Sequence, residues 1–317
     1  MTLDNDEIPI NKVLMADNDG RKVIQVGDSR WGELIIPANT ENPDKNSNGF
    51  RVLAINSFLL GYVLFETLKE CEKRFPDKLN IVGLVTDDPA NPNSKISLKR
   101  RIWRIYNEKE RVVLESEMIE AALSFGVPCY TGEVKSDYFR KLLNYWKPDA
   151  ILVCVFGQIV DAQIINYPKY GIYNFHPADL ANHYGAGPRP YEDLINRNAS
   201  TSKVTIHQIT EDVDSGHIVC QSPPVNVRLE NGKISDKILV LDDKMMKPID
   251  KMGAALISAL IRKKESGKTG KIDKLDVDNY FSDDYKKELM KPIISNIYID
   301  TLPKIDKDLN FFNLNNY

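Results

Sequence analysis

All four histidines of this 317-residue chain, His176, His183, His207 and His217, fall between Gly171 and His217. Imidazole changes charge near neutral pH without help, so its concentration in one window marks a place for proton-transfer chemistry. Around His176 the chain reads Asn174-Phe175-His176-Pro177, and an Asp212-Val213-Asp214-Ser215-Gly216 turn closes the window. A carboxamide, an imidazole and a carboxylate brought together at strand ends can polarise a carbonyl, stabilise an oxyanion and accept a proton. An enzyme is expected. Each residue also has a plainer reading: Asn174 can end a strand, Asp214 can hold its own turn, and His176 can be a hydrogen-bonded core residue.

Such side chains need a frame, and the sequence describes one. Arg51–Asn56 (RVLAIN) reads as a buried strand, and Asn80–Thr86 (NIVGLVT) as a second. Between them Gly61–Phe75 is a helix with Val63, Leu64, Leu68 and Cys71 on one face. Strand, helix and strand so closely joined make a parallel βαβ unit. Leu114–Phe125 is a helix stopped by Gly126, Val127–Tyr130 a short strand, and Ser136–Trp146 a helix capped by Ser136 that buries Phe139, Leu142, Leu143 and Trp146. Ala150–Phe156 (AILVCVF) is apolar throughout, as a strand covered on both faces must be. Phe156–Val160 leaves its carboxyl end, where open α/β sheets bind ligands, and Gly157 permits close approach of backbone. Gly171–Phe175 is the next strand and delivers His176. Pro190–Asn196 starts a helix, Lys203–Gln208 and His217–Gln221 are strands, and Met245, Ile249, Met252, Leu256 and Ala259 recur at helical spacing. The expected fold is α/β and Rossmann-like, a mostly parallel sheet flanked by helices. Residues 1–50 form an N-terminal extension with a small strand pair and a linker at Ala38–Gly49. The catalytic domain spans 51–270, and 271–317 is a wrapping C-terminal tail.

Hydrophobic content of 42% and charge of 27% are ordinary for a soluble globular chain. A net charge of −3 argues against nucleic acid as the main partner, and the basic stretch Lys95–Arg111 reads as a solvated face. No apolar run approaches membrane-spanning length, and Met1–Asp19 lacks the features of a secretory signal. Cys71, Cys129, Cys154 and Cys220 form no Cys-x-x-Cys pair, so free thiols in a reducing, cytoplasmic compartment are expected. His207 reads as structural or pocket-lining, and His183 and His217 as loop and supporting residues. The histidine cluster admits a metal-dependent hydrolase, but H-x-H and H-E-x-x-H spacings are missing. A non-catalytic Rossmann-like binding module is a further rival.

Three blocks, in order, resemble the folate-dependent formyltransferases, a family that includes glycinamide ribonucleotide transformylase, methionyl-tRNA formyltransferase and the nucleotide-sugar N-formyltransferases. They are Ile151–Val160, then Gly171-Ile-Tyr-Asn-Phe-His-Pro, then Thr205-Ile-His-Gln followed by Val213-Asp214-Ser215-Gly216-His217-Ile218. More diffuse similarity runs from Arg51 to about Gly270. The resemblance implies a formyltransferase fold and transfer of a formyl group from 10-formyltetrahydrofolate to a primary amine of a small molecule, through a tetrahedral intermediate. It implies Asn174 and His176 as oxyanion donors, and Asp214 as the group that orients His176 and accepts a proton. It also implies that Phe156, Gly157, Gln158, Ile159 and Val160 hold the pterin through backbone groups, with no metal. Family members often carry Ser-Leu-Leu-Pro after the histidine and proline. Here the residues are Ala178-Asp179-Leu180-Ala181, a departure on the acceptor side. Glycinamide ribonucleotide, an aminodeoxy sugar nucleotide and other amines stay open as acceptors, as does the oligomeric state. The C-terminal region is too short and polar to resemble the tRNA-binding domain of the methionyl-tRNA enzyme. The closest alternative is a 10-formyltetrahydrofolate hydrolase, whose usual N-terminal regulatory domain is larger than residues 1–50.

Overall fold

The three most apolar runs become neighbouring parallel strands. β4 (Phe50–Asn56) lies between β5 (Leu79–Val85) and β7 (Ala150–Cys154), and every residue of β5 and β7 is buried. The computed structural model describes residues 13–16, 22–25, 33–38, 48–86, 117–187, 189–235 and 238–294. Lys95–Arg111 and most of the Ala38–Gly49 stretch lie outside them. Among the described residues the main sheet has ten strands. Their order is β1 (Val13–Ala16), β2 (Lys22–Gln25), β3 (Glu33–Ile36), β6 (Cys129–Tyr130), β5, β4, β7, β8 (Ile172–His176), β10 (Thr205–Gln208) and β11 (Ile218–Gln221). The run β6-β5-β4-β7-β8 is parallel, and antiparallel strands extend it on both sides. A separate pair joins β9 (Thr201–Ser202) to β12 (Val225–Asn226).

Helices cover both faces of the parallel core. On one face α1 (Phe58–Arg74) packs beside α6 (Ile238–Met246) and α7 (Ile249–Glu265), with Leu64, Leu68, Leu256 and Leu260 fully buried. On the other, α3 (Asp137–Trp146) sets Phe139, Leu142, Leu143 and Trp146 in one cluster with Ile151 and Val153. Each such side chain stabilises by roughly 1.5–3 kcal/mol over its exposed state. The α3 start follows the sequence: Ser136 Oγ accepts the Phe139 N–H at 3.2 Å. A helix at residues 117–124, α2, ends at Gly126, whose φ of 80° is left-handed. The remaining helices among the described residues are short: α4 (Ala162–Ile165), α5 (Pro190–Asn196) and α8 (Asp283–Met290).

Three local features differ from the sequence expectation. β3 of the N-terminal extension joins the main sheet, pairing Leu34 with Tyr130 and Ile35 with Cys129. The stripe from Met245 to Ala259 belongs to two helices, because Pro248, which has no N–H to donate, separates α6 from α7. Residues 271–294 contribute to the core through Val277, Phe281 and Leu289, and Ile293 is buried as well. They also strap the sheet edge: Ile272 N donates to Tyr173 Oη at 2.7 Å, and Leu275 N to Val219 O at 3.0 Å. Among the described residues no helix is long and apolar enough to cross a membrane.

Candidate active site

Strand periodicity explains how the chemistry-bearing residues meet. Along β8, Tyr173 and Phe175 enter the core under α1 and α7, so Ile172, Asn174 and His176 share the opposite face. β10 runs antiparallel to β8 with His207 directly across from Asn174 and Thr205 across from His176. Facing residues on paired strands are the ones that touch. Asn174 Nδ2 lies 3.1 Å from His207 Nε2. The turn after β10 brings Asp214 back over this pair. Its Oδ1 is 3.3 Å from Asn174 Nδ2 and 3.4 Å from His207 Nε2, and its Oδ2 is 3.7 Å from His176 Nδ1. The Gly187 N–H donates to Oδ2 at 2.7 Å, which closes the loop after β8 onto the same carboxylate.

The hydrogen bonds fix proton positions. His176 Nε2 lies 2.7 Å from the Gly185 carbonyl, so Nε2 carries a proton and Nδ1 faces Asp214. His207 Nδ1 lies 2.9 Å from the Gln208 carbonyl and carries a proton there, while Nε2 faces Asn174 and Asp214. The Asn174 amide thus has both N–H groups engaged, the weaker one with Asp214. The reverse amide orientation would set its carbonyl oxygen against a carboxylate.

Burial decides the charge of His176, which is 7% exposed. Loss of hydration lowers its pKa below the ordinary 6.5, and the nearby Asp214 charge and the Gly185 hydrogen bond recover only part of that. At neutral pH the ring is uncharged, with a lone pair at Nδ1. For Asp214 burial acts upward, but the His207 and His176 rings and the Gly187 N–H outweigh it and hold the carboxyl below its usual 3.8. Both groups favour the folded state in their deprotonated forms. Their contribution is present above the unfolded pKa values, about 6.5 and 3.9, and is lost on acidification, His176 first.

Beside this cluster lies a cavity of about 280 Å3. Phe156, Ile159 and Val160 line it from the loop after β7, and Ile209 and Val213 from the turn after β10, with Asn174, His176, His207 and Asp214 at the polar end. Ile159 and Val213 are each 58% exposed, an unusual position for large aliphatic side chains. Val155 and Asp214, which both line the cavity, have left-handed φ of 48° and 52°. A β-branched residue held there costs on the order of 1–3 kcal/mol, and such strain tends to collect at functional sites. Its wall of Phe156, Ile159, Val160, Ile209 and Val213 is apolar, as the walls of small-molecule sites commonly are.

Two of the four histidines stand apart. His183 ends an exposed 3-10 turn, and His217 Nε2 bonds the Asp273 carbonyl at 2.7 Å. His207, read from sequence as structural or pocket-lining, does line the cavity and also touches both Asn174 and Asp214. The signal for that was its register opposite Asn174, which strand pairing alone reveals. The unusual Ala178–Ala181 segment is tied to β10 and β11. Thr205 Oγ1 donates to Ala178 O at 2.6 Å, and Gln221 Nε2 to Asp179 Oδ1 at 2.8 Å.

Comparisons with known proteins bear on the family and the fold. A family model described as Formyl transferase matches residues 78–247. A methionyl-tRNA formyltransferase from Bacillus licheniformis is 28% identical over 186 residues, which is 58% of this chain and 50% of that protein. One from Rickettsia canadensis is 33% identical over 149 residues, 44% of this chain and 48% of that protein. The chain thus spans about half the length of the curated relatives it matches. Among solved structures, phosphoribosylglycinamide formyltransferase from Anaplasma phagocytophilum superposes with a TM-score of 0.50 at 16% identity, over 68% of this chain and 88% of that one. Glycinamide ribonucleotide transformylase 1 from Symbiobacterium toebii gives 0.50 at 16% identity, over 73% and 94%. These two share the fold. With the family match covering more than half of its length, this chain belongs to the folate-dependent formyltransferase family.

Proposed function

We propose that the protein transfers the formyl group of 10-formyltetrahydrofolate to a primary amine of a small molecule. The observation that carries this reading is the facing pair His176 Nδ1 and Asp214 Oδ2, 3.7 Å apart beside the cavity. At neutral pH both are hydrogen-bond acceptors, so the gap between them favours a group rich in N–H donors, as an amine is. The co-substrate supplies the formyl carbon; the backbone of Phe156–Val160 and the apolar walls hold its ring so that the carbon lies by Asn174. Asn174 exchanges its 3.3 Å bond with Asp214 for one to the formyl oxygen and stabilises the oxyanion as it forms. His176 takes a proton from the attacking amine at Nδ1. As imidazolium it is stabilised by Asp214, adds a positive charge near the oxyanion, and returns the proton to the departing nitrogen. Asp214 keeps this ring oriented and its charge balanced throughout. Among the described residues no group of three or more His, Cys, Asp or Glu is arranged to hold a metal ion.

The test is a screen of amines, including amino sugar nucleotides, glycinamide ribonucleotide and methionyl-tRNA, against 10-formyltetrahydrofolate. A formylated small amine is the expected product. Formate released at equal rate with and without amines would make the protein a hydrolase, and formylation of methionyl-tRNA alone would overturn the small-molecule acceptor. The rate against pH supplies a second check. Because neutral His176 is the working form and its pKa is depressed, kcat/KM corrected for the acceptor amine's own titration should stay level as pH falls to 6.5 and decline only below it. Asp214→Asn removes the charge that raises that pKa, so its residual activity should hold to still lower pH. A decline centred above 6.5 would rule out the buried neutral histidine as the base.

A further inference from the structure

Gln158 stands in the middle of the loop proposed to hold the pterin, yet both ends of its carboxamide engage the backbone of a neighbouring turn. Oε1 accepts the Val134 N–H at 3.0 Å, and Nε2 donates to Gly132 O at 3.0 Å. That turn follows β6 and is held in its own right. Tyr130 Oη and Ser136 Oγ both donate to Glu133 O, at 3.1 and 2.7 Å. Thr131, only 4% exposed, begins the turn and is fastened to the N-terminal extension. Its N–H donates to Glu33 O at 2.9 Å, and the Glu33 N–H donates to Thr131 Oγ1 at 3.0 Å. Glu33 starts β3, well before residue 78, where the family match begins.

The loop needs such a hold. It leaves β7 through Val155 in a left-handed conformation that valine does not adopt unaided, and a strained backbone persists only where its surroundings over-determine it. At its far end Asp161 caps α4 through the Ile164 N–H at 3.2 Å and takes Arg140 Nη2 at 2.6 Å. Gln158 is the side-chain clamp between those two ends. A continuous path of hydrogen bonds and peptide backbone therefore runs from β3 through Thr131 and the 132–134 turn to Gln158.

We infer that Gln158 is a positioning residue that couples the folate loop to the N-terminal extension, so that a bound reduced folate and the pairing of β3 stabilise each other. The coupling is reciprocal by thermodynamic necessity. It rests on the proposed folate site and adds that the site extends, mechanically, to a segment outside the matched family region.

The experiment follows amide hydrogen exchange of the full chain with and without tetrahydrofolate, then repeats it with Gln158→Leu, Gln158→Glu and Thr131→Val. In the wild type, tetrahydrofolate should slow exchange at 156–160 and also at 33–36 and 131–134. Gln158→Leu should keep loop protection at saturation but lose protection at 33–36. If the untethered loop is competent about a tenth of the time, KM for 10-formyltetrahydrofolate rises about tenfold while kcat changes little. Gln158→Glu keeps the acceptor for Val134 and sets a carboxylate against Gly132 O, so it should fall between. Thr131→Val lies outside the cavity and should raise the same KM less, without altering kcat. Should Gln158→Leu fail to fold, the last two variants decide alone. A purely structural clamp would lower Tm and leave KM at the wild-type value, which overturns the inference. So would wild-type protection confined to 156–160. No protection of 156–160 in the wild type would instead remove the folate site on which the inference rests.

Discussion

An Asp214→Asn variant should turn over a confirmed acceptor at least ~100-fold more slowly than the wild type while folding normally, the scale seen when one preorganised electrostatic partner is lost. Asparagine keeps the shape of aspartate and can still hold the 2.7 Å bond from Gly187 through its carbonyl. What it loses is charge, and its NH2 then meets donors at Asn174 where a carboxylate oxygen sat at 3.3 Å. His176→Ala should cost at least as much, since it removes the proton carrier itself, an effect of about 100- to 10,000-fold. Both losses should fall mainly on kcat, because the groups work hardest as the oxyanion forms. Steady-state rates with circular dichroism as the folding control read this out. Two folded variants within a few-fold of the wild type would remove the proposed mechanism and leave the fold standing.

Gly216→Ala should do comparable damage from a position with no chemistry at all. A Cβ there would sit 1.6 Å from the Gln208 carbonyl oxygen and 2.7 Å from its carbon. Both are backbone atoms, and Gln208 is bound in turn to His217, its N–H donating to the His217 carbonyl at 2.9 Å. The overlap can be relieved only by moving the 209–217 turn, which carries Asp214. A shift of about 1 Å in a catalytic group can cost on the order of 100-fold in rate. Ser215→Ala is the matched control. Its hydroxyl donates to Asp212 O at 3.0 Å in an exposed turn, and surface bonds of this kind contribute about 0.5–1.5 kcal/mol. Activity near the wild type in Gly216→Ala would mean that the turn tolerates displacement and that Asp214 need not be held where it is.

What could be read from sequence was local. Ala150–Cys154 announces a central strand because a wholly apolar run needs cover on both faces, and Ser136 announces α3 because its hydroxyl caps the Phe139 N–H. The ordered spacing of Asn174, His176 and Asp214 likewise points to one site, and their side chains do lie together. What could not be read was pairing over long distances. The union of β3 with β6 rests on two residue pairs almost a hundred positions apart, and nothing in either segment signals the other. His207 reaches Asn174 because β10 turned out antiparallel to β8, where the sequence frame suggested mostly parallel order. The break at Pro248 is masked in the sequence because the apolar stripe continues across it at an acceptable spacing. The clamp at Gln158 had no signal either: a glutamine in a loop looks the same whether it faces ligand, solvent or a neighbouring turn.

The strap formed by residues 271–278 bears on solubility. β11 is the outermost strand beside β10, and a bare edge strand offers its N–H and C=O groups to any other chain that can extend. Here Leu275 occupies the Val219 carbonyl, while Gln208 Nε2 donates to Ile272 O at 3.1 Å and His217 holds Asp273. The stretch beyond Gly270 is therefore a guard rail against edge-to-edge self-association. A version of the protein shortened at that glycine would expose an unpaired strand and the apolar surface under Val277 and Phe281, and would be sticky well before it was inactive.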